Sequence, residues 1–424
     1  MKTRHIYKIK PGMILAGNVH NRDGRLLFSK GQVLSEKELK ILKMWGVTEA
    51  KVKDTEAGVL NETEPASSVA QVSDIDPDIV SELDRHLEDH FQRNDLASEP
   101  ASTAFTLCRN RLLDQYRQDP DLIKRIRTAH ALDNPGSGIP SSITPVKDIR
   151  TLFEQHIELP ALPTIFSEIN DAVHNPSCSG KDIADIVSKD TSLSAKLLKI
   201  INSAYYGPKQ KIESLAYAAI ALGTHQISSL ALGISVINYF SGIPNQHVSM
   251  KSFWKHSIAC AISARTLAGH ISGLNPERVF IGGILHDIGR LLLLKYFPDQ
   301  SSWLMTTSRK KEKALYMTEP LVFGVSHAEL GSLVAETWGI SDRITELIRD
   351  HHGPFDSQDH KETLLIHVSD WLTHAMDIGA SGEHRVPALQ PGAWNQLGVS
   401  TGILDAVIQQ IDRQVNETIQ FFYE

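Results

Sequence analysis

Seven residues in the second half of this 424-residue chain carry side chains that can hold a metal ion. His256 lies in "FWKHSIACAISARTL", His286 and Asp287 in "GGILHDIGRLLLLKY", and His327 in "GVSHAELGSLV". His351 and His352 lie in "IRDHHGPF", and Asp370 in "IHVSDWL". Each sits in, or at the end of, an expected helix. Imidazole nitrogens together with carboxylate oxygens suit borderline and hard divalent ions, here iron, manganese or zinc. Singly, each residue is weak evidence, because 19 histidines give roughly one His-Asp pair by chance. A structural reading competes. His286 and Asp287 could be a buried hydrogen-bonded pair that fixes helix packing. His351 and His352 could cap a helix C-terminus, where positive charge is favourable. The presence of all seven together shifts the balance towards a metal.

The elements that must position these residues are helices. From about residue 147 to the end, apolar residues recur at three and four, Pro and Gly mark the joints, and no alternating strand stands out. This predicts an all-α domain of ten or more helices. In its first half, Thr164 caps a helix carrying Ile165, Ile169 and Val173 inward, ended by Asn175 and Pro176. "SGKDIADIVSKD" is a short helix burying Ile183, Ile186 and Val187. Thr191 or Ser192 starts the next, whose Leu193, Leu197, Ile200 and Ile201 form an apolar stripe, with Asn202 and Ser203 placed to bond its last carbonyls. The most apolar region, 215–240, is broken by "GTHQISS" and reads as two packed helices instead of a membrane span. In the tail, Ile403, Val407, Ile411 and Val415 form a stripe that packs back on the domain.

The N-terminal end reads differently. Two extended stretches flank "NRDGR", a hairpin signal. A helix follows from Ser35, with Glu38 three residues on and Gly46 as its stop, and "VTEAKVKD" reads as a further strand. The expected organisation is a small α+β domain at 1–54, a linker at 55–76, and a helical connector or dimerisation hairpin at 77–130. A second linker covers 131–147, the main helical domain 148–355, and a C-terminal helical extension 356–424. Two helices packed on the main domain is an equal reading of 77–130, where Ile79, Leu83, Leu87 and Phe91 line one helix face.

Composition narrows the classes. Hydrophobic residues at 41% and charged ones at 22% describe an ordinary globular protein, and a net charge of -7 gives no general attraction to nucleic acid or anionic membranes. The basic run at 309–313 reads as a solvated helix face. Cys108, Cys178 and Cys260 are isolated and odd in number, which argues against a disulfide framework and fits a reducing cytosol. The opening "MKTRHIYKIKPGM" has no apolar signal stretch, so a cytoplasmic protein is expected.

Three long, ordered passages resemble the bacterial HDOD signalling domain: "LPALP", "KDIADIVSKDTSLSAKLLKIINSAYYG" and "IESLAYAAIALGTHQISSLALG". The N-terminal "KPGMILAGNV" and "DGRLLFSKGQVLSE" resemble an accessory region of some HD-GYP proteins. The HDOD resemblance implies an all-helical fold related to HD-type phosphohydrolases, and a role in bacterial signalling. HDOD proteins are usually described as lacking HD-type catalysis. The superfamily's ligand order, His, His-Asp, then a distant Asp, matches His256, His286, Asp287 and Asp370, which would hold one ion. His327, His351 and His352 resemble the additional ligands of binuclear HD-GYP sites, with Asp287 bridging. One or two ions are therefore implied. Activity, if present, would be hydrolysis of a phosphoester by an acidified water, with Asp287 and Arg290 as catalytic residues.

The chain departs from that pattern in four places, one being the spacing of 18 from His352 to Asp370, shorter than HD-GYP proteins lead one to expect. Arg290 stands where HD-GYP enzymes carry Lys, Ser252 where some trinuclear sites carry an acid, and "GPFDSQD" where the GYP signature would follow. The first expectation is thus a regulatory module that binds other signalling proteins or a nucleotide messenger such as cyclic di-GMP. The alternative is a metal-dependent phosphohydrolase acting on a cyclic dinucleotide, and a third is a filled site that does not turn over. No membrane insertion and no nucleic-acid partner are expected, and a homodimer is left open.

Overall fold

The computed structural model describes residues 2–5, 9, 13–20, 26–28, 31–32, 34, 39, 42 and 49–53 of the N-terminal region. Beyond it, the model describes 75–132, 143–146, 149, 152–153, 164–203 except 176, 211–355 except 241–242, 244–247 and 311, and 360–423. Met1–Ile75 and Asp76–Glu424 are separate compact units.

In the N-terminal unit, strands β1 (Lys2–His5), β5 (Glu49–Lys53) and β2 (Ile14–Leu15) form an antiparallel sheet in that order. Strands β3 (Val19–His20) and β4 (Leu26–Phe28) pair antiparallel, with Val19 opposite Phe28, and "NRDGR" itself lies outside the described residues. Leu15, Val19, Leu34, Leu42 and Val52 gather in a small apolar core. The helix expected from Ser35 and the linker at 55–76 lie almost wholly outside the described residues, and so does most of 131–147.

The second unit is all-helical. Its described helices are α1 (Pro77–His90), α2 (Glu99–Gln118), α3 (Leu122–Leu132), α4 (Thr164–His174), α5 (Gly180–Val187) and α6 (Thr191–Ile201). Next come α7 (Leu215–Leu222), α8 (Thr224–Tyr239), α9 (Met250–Ala268), α10 (Pro276–Leu285), α11 (Ile288–Tyr296) and α12 (Pro298–Lys310). The last are α13 (Leu315–Phe323), α14 (His327–Thr337), α15 (Asp342–Asp350), α16 (Lys361–Ala375), α17 (Ala393–Leu397) and α18 (Leu404–Tyr423). No described helix is long and apolar enough to cross a membrane. The break expected in 215–240 falls at Gly223, whose φ of 94° ends α7 and opens α8.

Local chemistry sets the helix ends. Ser179 and Asp182 form a capping box on α5, and Asp190, not Thr191 or Ser192, caps α6 by accepting from Leu193 N. The Asp carboxylate outcompetes the hydroxyls because it accepts a charge-assisted bond and complements the helix dipole. Asn202 and Ser203 bond the carbonyls of Leu198 and Ile200 as expected. The stripe Leu193, Leu197, Ile200 and Ile201 is buried.

Helices α9 and α16 run through the middle of the domain. Apart from Lys255 and Arg265, every residue of 253–268 is buried, as is all of 363–376. A helix covered on every face must satisfy its polar side chains internally, and these two carry His256, Asp370 and His374. The stripe Val407, Ile411 and Val415 of α18 joins the same core.

The α1–α2 hairpin also packs on this body. Leu87, Phe91, Ala101, Ala104 and Cys108 belong to the main apolar core. Arg111 Nε and Nη2 form a fork on Asp412 of α18 at 2.7 and 2.8 Å. Asn94, just past α1, uses all four of its hydrogen bonds. Its Nδ2 donates to Val386 O and Pro387 O, both at 3.1 Å. Its Oδ1 accepts from Trp371 Nε1 at 2.8 Å and Leu389 N at 3.2 Å.

Candidate metal centre

Two helix corners supply the middle of the site. Helix α10 stops at Leu285 and α11 starts at Ile288, so His286 and Asp287 occupy the turn between them. Helix α15 stops at Asp350, and His351 and His352 follow at once. His286 Nδ1–H donates to Gly283 O at 2.8 Å, and His351 Nδ1–H donates to Ile348 O at 2.7 Å. The capping role is therefore real, but it uses Nδ1 only. Each ring is locked with Nε2 turned inward, the orientation a metal-ligating imidazole needs. His286 Nε2 is buried and has no hydrogen-bond partner among the described residues.

Asp287 stands between two groups of rings. Its Oδ1 lies 3.0 Å from His327 Nε2. Its Oδ2 lies 3.3 Å from His286 Nε2 and 4.0 Å from His256 Nε2. On the Oδ1 side, His327 Nε2 is 3.3 Å from His351 Nε2 and 3.1 Å from His352 Nε2. On the other side, Asp370 Oδ1 is 3.0 Å from His256 Nε2 and 3.5 Å from His286 Nε2. Three groups have ligand atoms all within 4.8 Å of one another: His327, His351 and His352; His256, His286 and Asp287; and His256, Asp370 and His374. The structure thus brings together all seven residues singled out in the sequence. Six are buried, and His352 is half-buried beneath the ring of Tyr316, stacked at 4.2 Å.

His327 arrives through a second capping box. Ser326 and Glu329 pin the start of α14, making His327 its first residue. Glu319 on α13 accepts from His327 Nδ1 at 2.6 Å and from His327 N at 2.8 Å. The carboxylate fixes the ring and directs Nε2 at Asp287. Gly289 permits the approach of α11 to α14, since a Cβ there would collide with the carbonyl oxygen of His327.

The electrostatics suit a cation. Burial opposes charge on His286, but Asp287 outweighs it and holds that pKa well above the ordinary imidazole value. Burial would raise Asp287, yet Arg290, His286 and His327 hold it well below the usual carboxylate range. Asp370 is likewise held low, against burial, by His374, His256 and His286. Burial pushes His351 and His352 well down, and His374 to about 3. Ionised carboxylates beside the neutral imidazoles of His351, His352 and His374 are donors a divalent ion takes, while His286 and His327, whose pKa values are raised, would release protons on binding it. The crowding of Nε2 lone pairs and the orphaned His286 Nε2 fit such an ion.

Arg290 is 5% exposed and already engaged. Its Nη1 donates to Ser381 Oγ at 2.6 Å and to Asp287 Oδ2 at 3.2 Å, while Nε reaches Glu319 Oε1 at 3.4 Å. These bonds hold the carboxylate and leave Nη1 and Nε committed to protein groups. At Ser252 the chain closes over α9: Ala380 N donates to Ser252 O at 3.1 Å. Gly379, at φ 71°, lies so near that a Cβ would stand 2.5 Å from both Ser252 O and His256 N.

The sequence reading missed His374 and Glu319. His374 lies one turn after Asp370 on α16, with Nε2 3.4 Å from Asp370 Oδ1. The spacing of four was its available signal. Glu319 sits in an apolar helix containing Pro320, with nothing local to link it to His327.

Residues 159–354 match the HDOD domain family. Over 197 residues the chain is 24% identical to an uncharacterized protein of Treponema pallidum, a match covering 46% of this chain and 38% of that one. Over 175 residues it is 26% identical to ribonuclease Y of Pseudothermotoga lettingae, covering 41% of this chain and 29% of that one. The matched part therefore spans well under half the length of either relative. An HDOD domain protein of Geobacter sulfurreducens, 22% identical, shares the fold with a TM-score of 0.54, over 65% of this chain and 96% of that one. This chain, mainly α-helical with a small N-terminal α+β unit, carries an HDOD domain over residues 159–354.

Proposed function

We propose that this HDOD protein is a signalling protein holding two divalent ions, iron, manganese or zinc, and hydrolysing a phosphoester at them. The observation that carries the reading is the position of Asp287, with one oxygen facing His327 and the other facing His286 and His256. His327, His351 and His352 would hold one ion, and His256, His286, Asp370 and His374 the other, with Asp287 between. Ions so held would supply an acidified water as nucleophile and would polarise the phosphoryl oxygen. The chain's part is orientation. Gly283 O, Ile348 O and Glu319 fix three rings, and Arg290 fixes Asp287. His352, beside Tyr316, is the ligand closest to solvent and marks the side from which substrate would come. Ribonuclease Y, one of the relatives, bears the name of a phosphodiester-cleaving enzyme, which agrees with this chemistry.

A second reading is favoured by the burial of the other six residues and the engagement of Arg290: a filled site that gates binding to other signalling proteins or to a messenger such as cyclic di-GMP, without turnover. Metal analysis after expression with added iron, manganese and zinc tests the common premise, since a metal-free protein would refute both readings. With metal present, linear dinucleotide from cyclic di-GMP, or a phenol and an aryl phosphate from a bis-aryl phosphate, lost in the His286→Ala Asp287→Ala variant, supports hydrolysis. Bound metal with no product from either leaves the gating reading standing.

A further inference from the structure

The metal centre is closed over. Six of the seven residues expected to hold metal are between 0 and 4% exposed, so a phosphoester reaches them only if a covering element moves. One covering stretch, 376–392 between α16 and α17, has no regular secondary structure. Irregular loops longer than about 12–15 residues are uncommon in compact domains and are usually lids or binding loops. This one touches the supports of the centre in turn. Ala380 N donates to Ser252 O at 3.1 Å, and Gly379 packs directly on the backbone of His256. Ser381 Oγ accepts from Arg290 Nη1, the guanidinium that holds Asp287, at 2.6 Å. Glu383 Oε2 accepts from Leu315 N at 2.8 Å, next to the Tyr316 that stacks on His352. At the far end Gln390 N donates to His367 Nε2 at 3.2 Å, and His367 Nδ1–H donates to His351 O at 3.0 Å.

The bonds that hold this stretch down come largely from the end of α1, outside the HDOD match at 159–354. Arg93 Nη1 donates to Glu383 Oε1 at 2.8 Å, while its Nε and Nη2 donate to Glu312 O and Lys313 O. Asp89 accepts from Arg385 Nη2 at 2.6 Å, and His90 O accepts from Val386 N at 2.9 Å. Asn94 adds its bonds to Val386, Pro387 and Leu389. The closed position carries a cost. Arg385 Nε and Nη1 and His384 Nε2 are buried with no hydrogen-bond partner among the described residues, and hydration on opening would recover that loss. Left-handed residues mark the two ends, Asp377 at φ 51° and Gly392 at φ 76°, so the chain between them can swing without unwinding α16 or α17.

We propose that 376–392 is a strap that shuts the metal centre to small molecules, with the end of α1 as its clasp. Release of the clasp lifts the strap, frees Arg290 from Ser381 and opens the ligand imidazoles to solvent. The clasp thus gives a segment outside the HDOD match control over the site inside it. The inference rests on reading the centre as one that receives a substrate, but the opening itself is measurable with or without metal and with or without turnover.

Two measurements on the full, metal-depleted chain test this. Hydrogen exchange read by mass spectrometry follows the bonded amides of Ala380 and Val386, which should exchange at least about tenfold faster than those of the buried α9 and α16, by local opening instead of global unfolding. Modification by diethyl pyrocarbonate, which carbethoxylates accessible imidazoles, follows His374 in the centre, with the exposed His225 as internal standard. Arg93→Ala cuts the clasp from the strap. It should speed both the exchange at Ala380 and Val386 and the modification of His374 by about tenfold, the equivalent of one charge-assisted hydrogen bond, with α9 and α16 unchanged. Should that variant fail to fold, the near-isosteric Glu383→Gln weakens the same ion pair from the strap side and carries the test. The proposal falls if the strap exchanges as slowly as α9 and α16 in parent and variants alike, or if both variants match the parent. It falls equally if exchange rises while His374 reacts at the parent's rate, the mark of a loop that moves but guards nothing. Opening without product from metal-loaded protein would refute the hydrolytic reading alone.

Discussion

Asp287 Oδ1 and His327 Nε2 lie 3.0 Å apart, although the two residues are separated by the whole of α11, α12 and α13. Gly289 permits this contact, because any side chain there would meet the carbonyl oxygen of His327. Gly289→Ala should therefore push α11 off α14 and part the two ring groups that Asp287 joins. Second-coordination changes typically cost 10–100-fold in metal affinity, and a loss of about that size is expected by competition with a chelating dye. Helix content by circular dichroism should be retained. An unchanged affinity would show that the two helices adjust without parting the ligands.

His374 was not evident in the sequence, yet it shares a group with His256 and Asp370. His374→Asn removes one imidazole from one side of Asp287 only. Metal content per chain, by elemental analysis of the purified protein, should fall by about half, while His352→Asn should empty the opposite side. Equal and complete loss in both variants would mean that the ions bind as one cooperative unit.

The three thiols should differ sharply in reactivity. Burial pushes Cys108 up to about 12, and Cys260 is raised by burial as well. Only the thiolate attacks a disulfide reagent, so at about pH 8 both remain inert in the folded protein. Cys178, half-buried, is the one thiol expected to react without denaturant, whereas all three should react in guanidinium. Fast modification of Cys108 in native protein would place the α1–α2 hairpin away from the core.

Asn94 ties that hairpin to Trp371 of α16 by one hydrogen bond and to Val386, Pro387 and Leu389 of the segment beyond α16 by three. Asn94→Ala leaves Trp371 Nε1 buried without an acceptor and should cost about 2 kcal/mol of stability, read from denaturant unfolding. A wild-type midpoint would refute the role of this residue as a clasp.

Much was legible in the chain itself, because helical periodicity, capping residues and apolar stripes act over a few residues. The stripe of α6, the break at Gly223, the β3–β4 pairing and the burial of Val407, Ile411 and Val415 all follow from that local logic. The seven chemistry-bearing residues were visible as types. Only the resemblance to HD-type sites grouped them, and Glu319, eight positions from His327, and Asn94, 277 from Trp371, were not legible, because each bond joins separate helices or segments that packing alone brings together. The basic run at 309–313 shows the same limit: Arg309 turns to a cavity wall while Lys310 and Lys313 stay exposed. Short-range order depends on backbone geometry that neighbouring residues set. The facing of Asp287 to His327, the engagement of Arg290 with Ser381 and the orphaned nitrogens of Arg385 are set by how whole helices pack, and only the tertiary structure decides that.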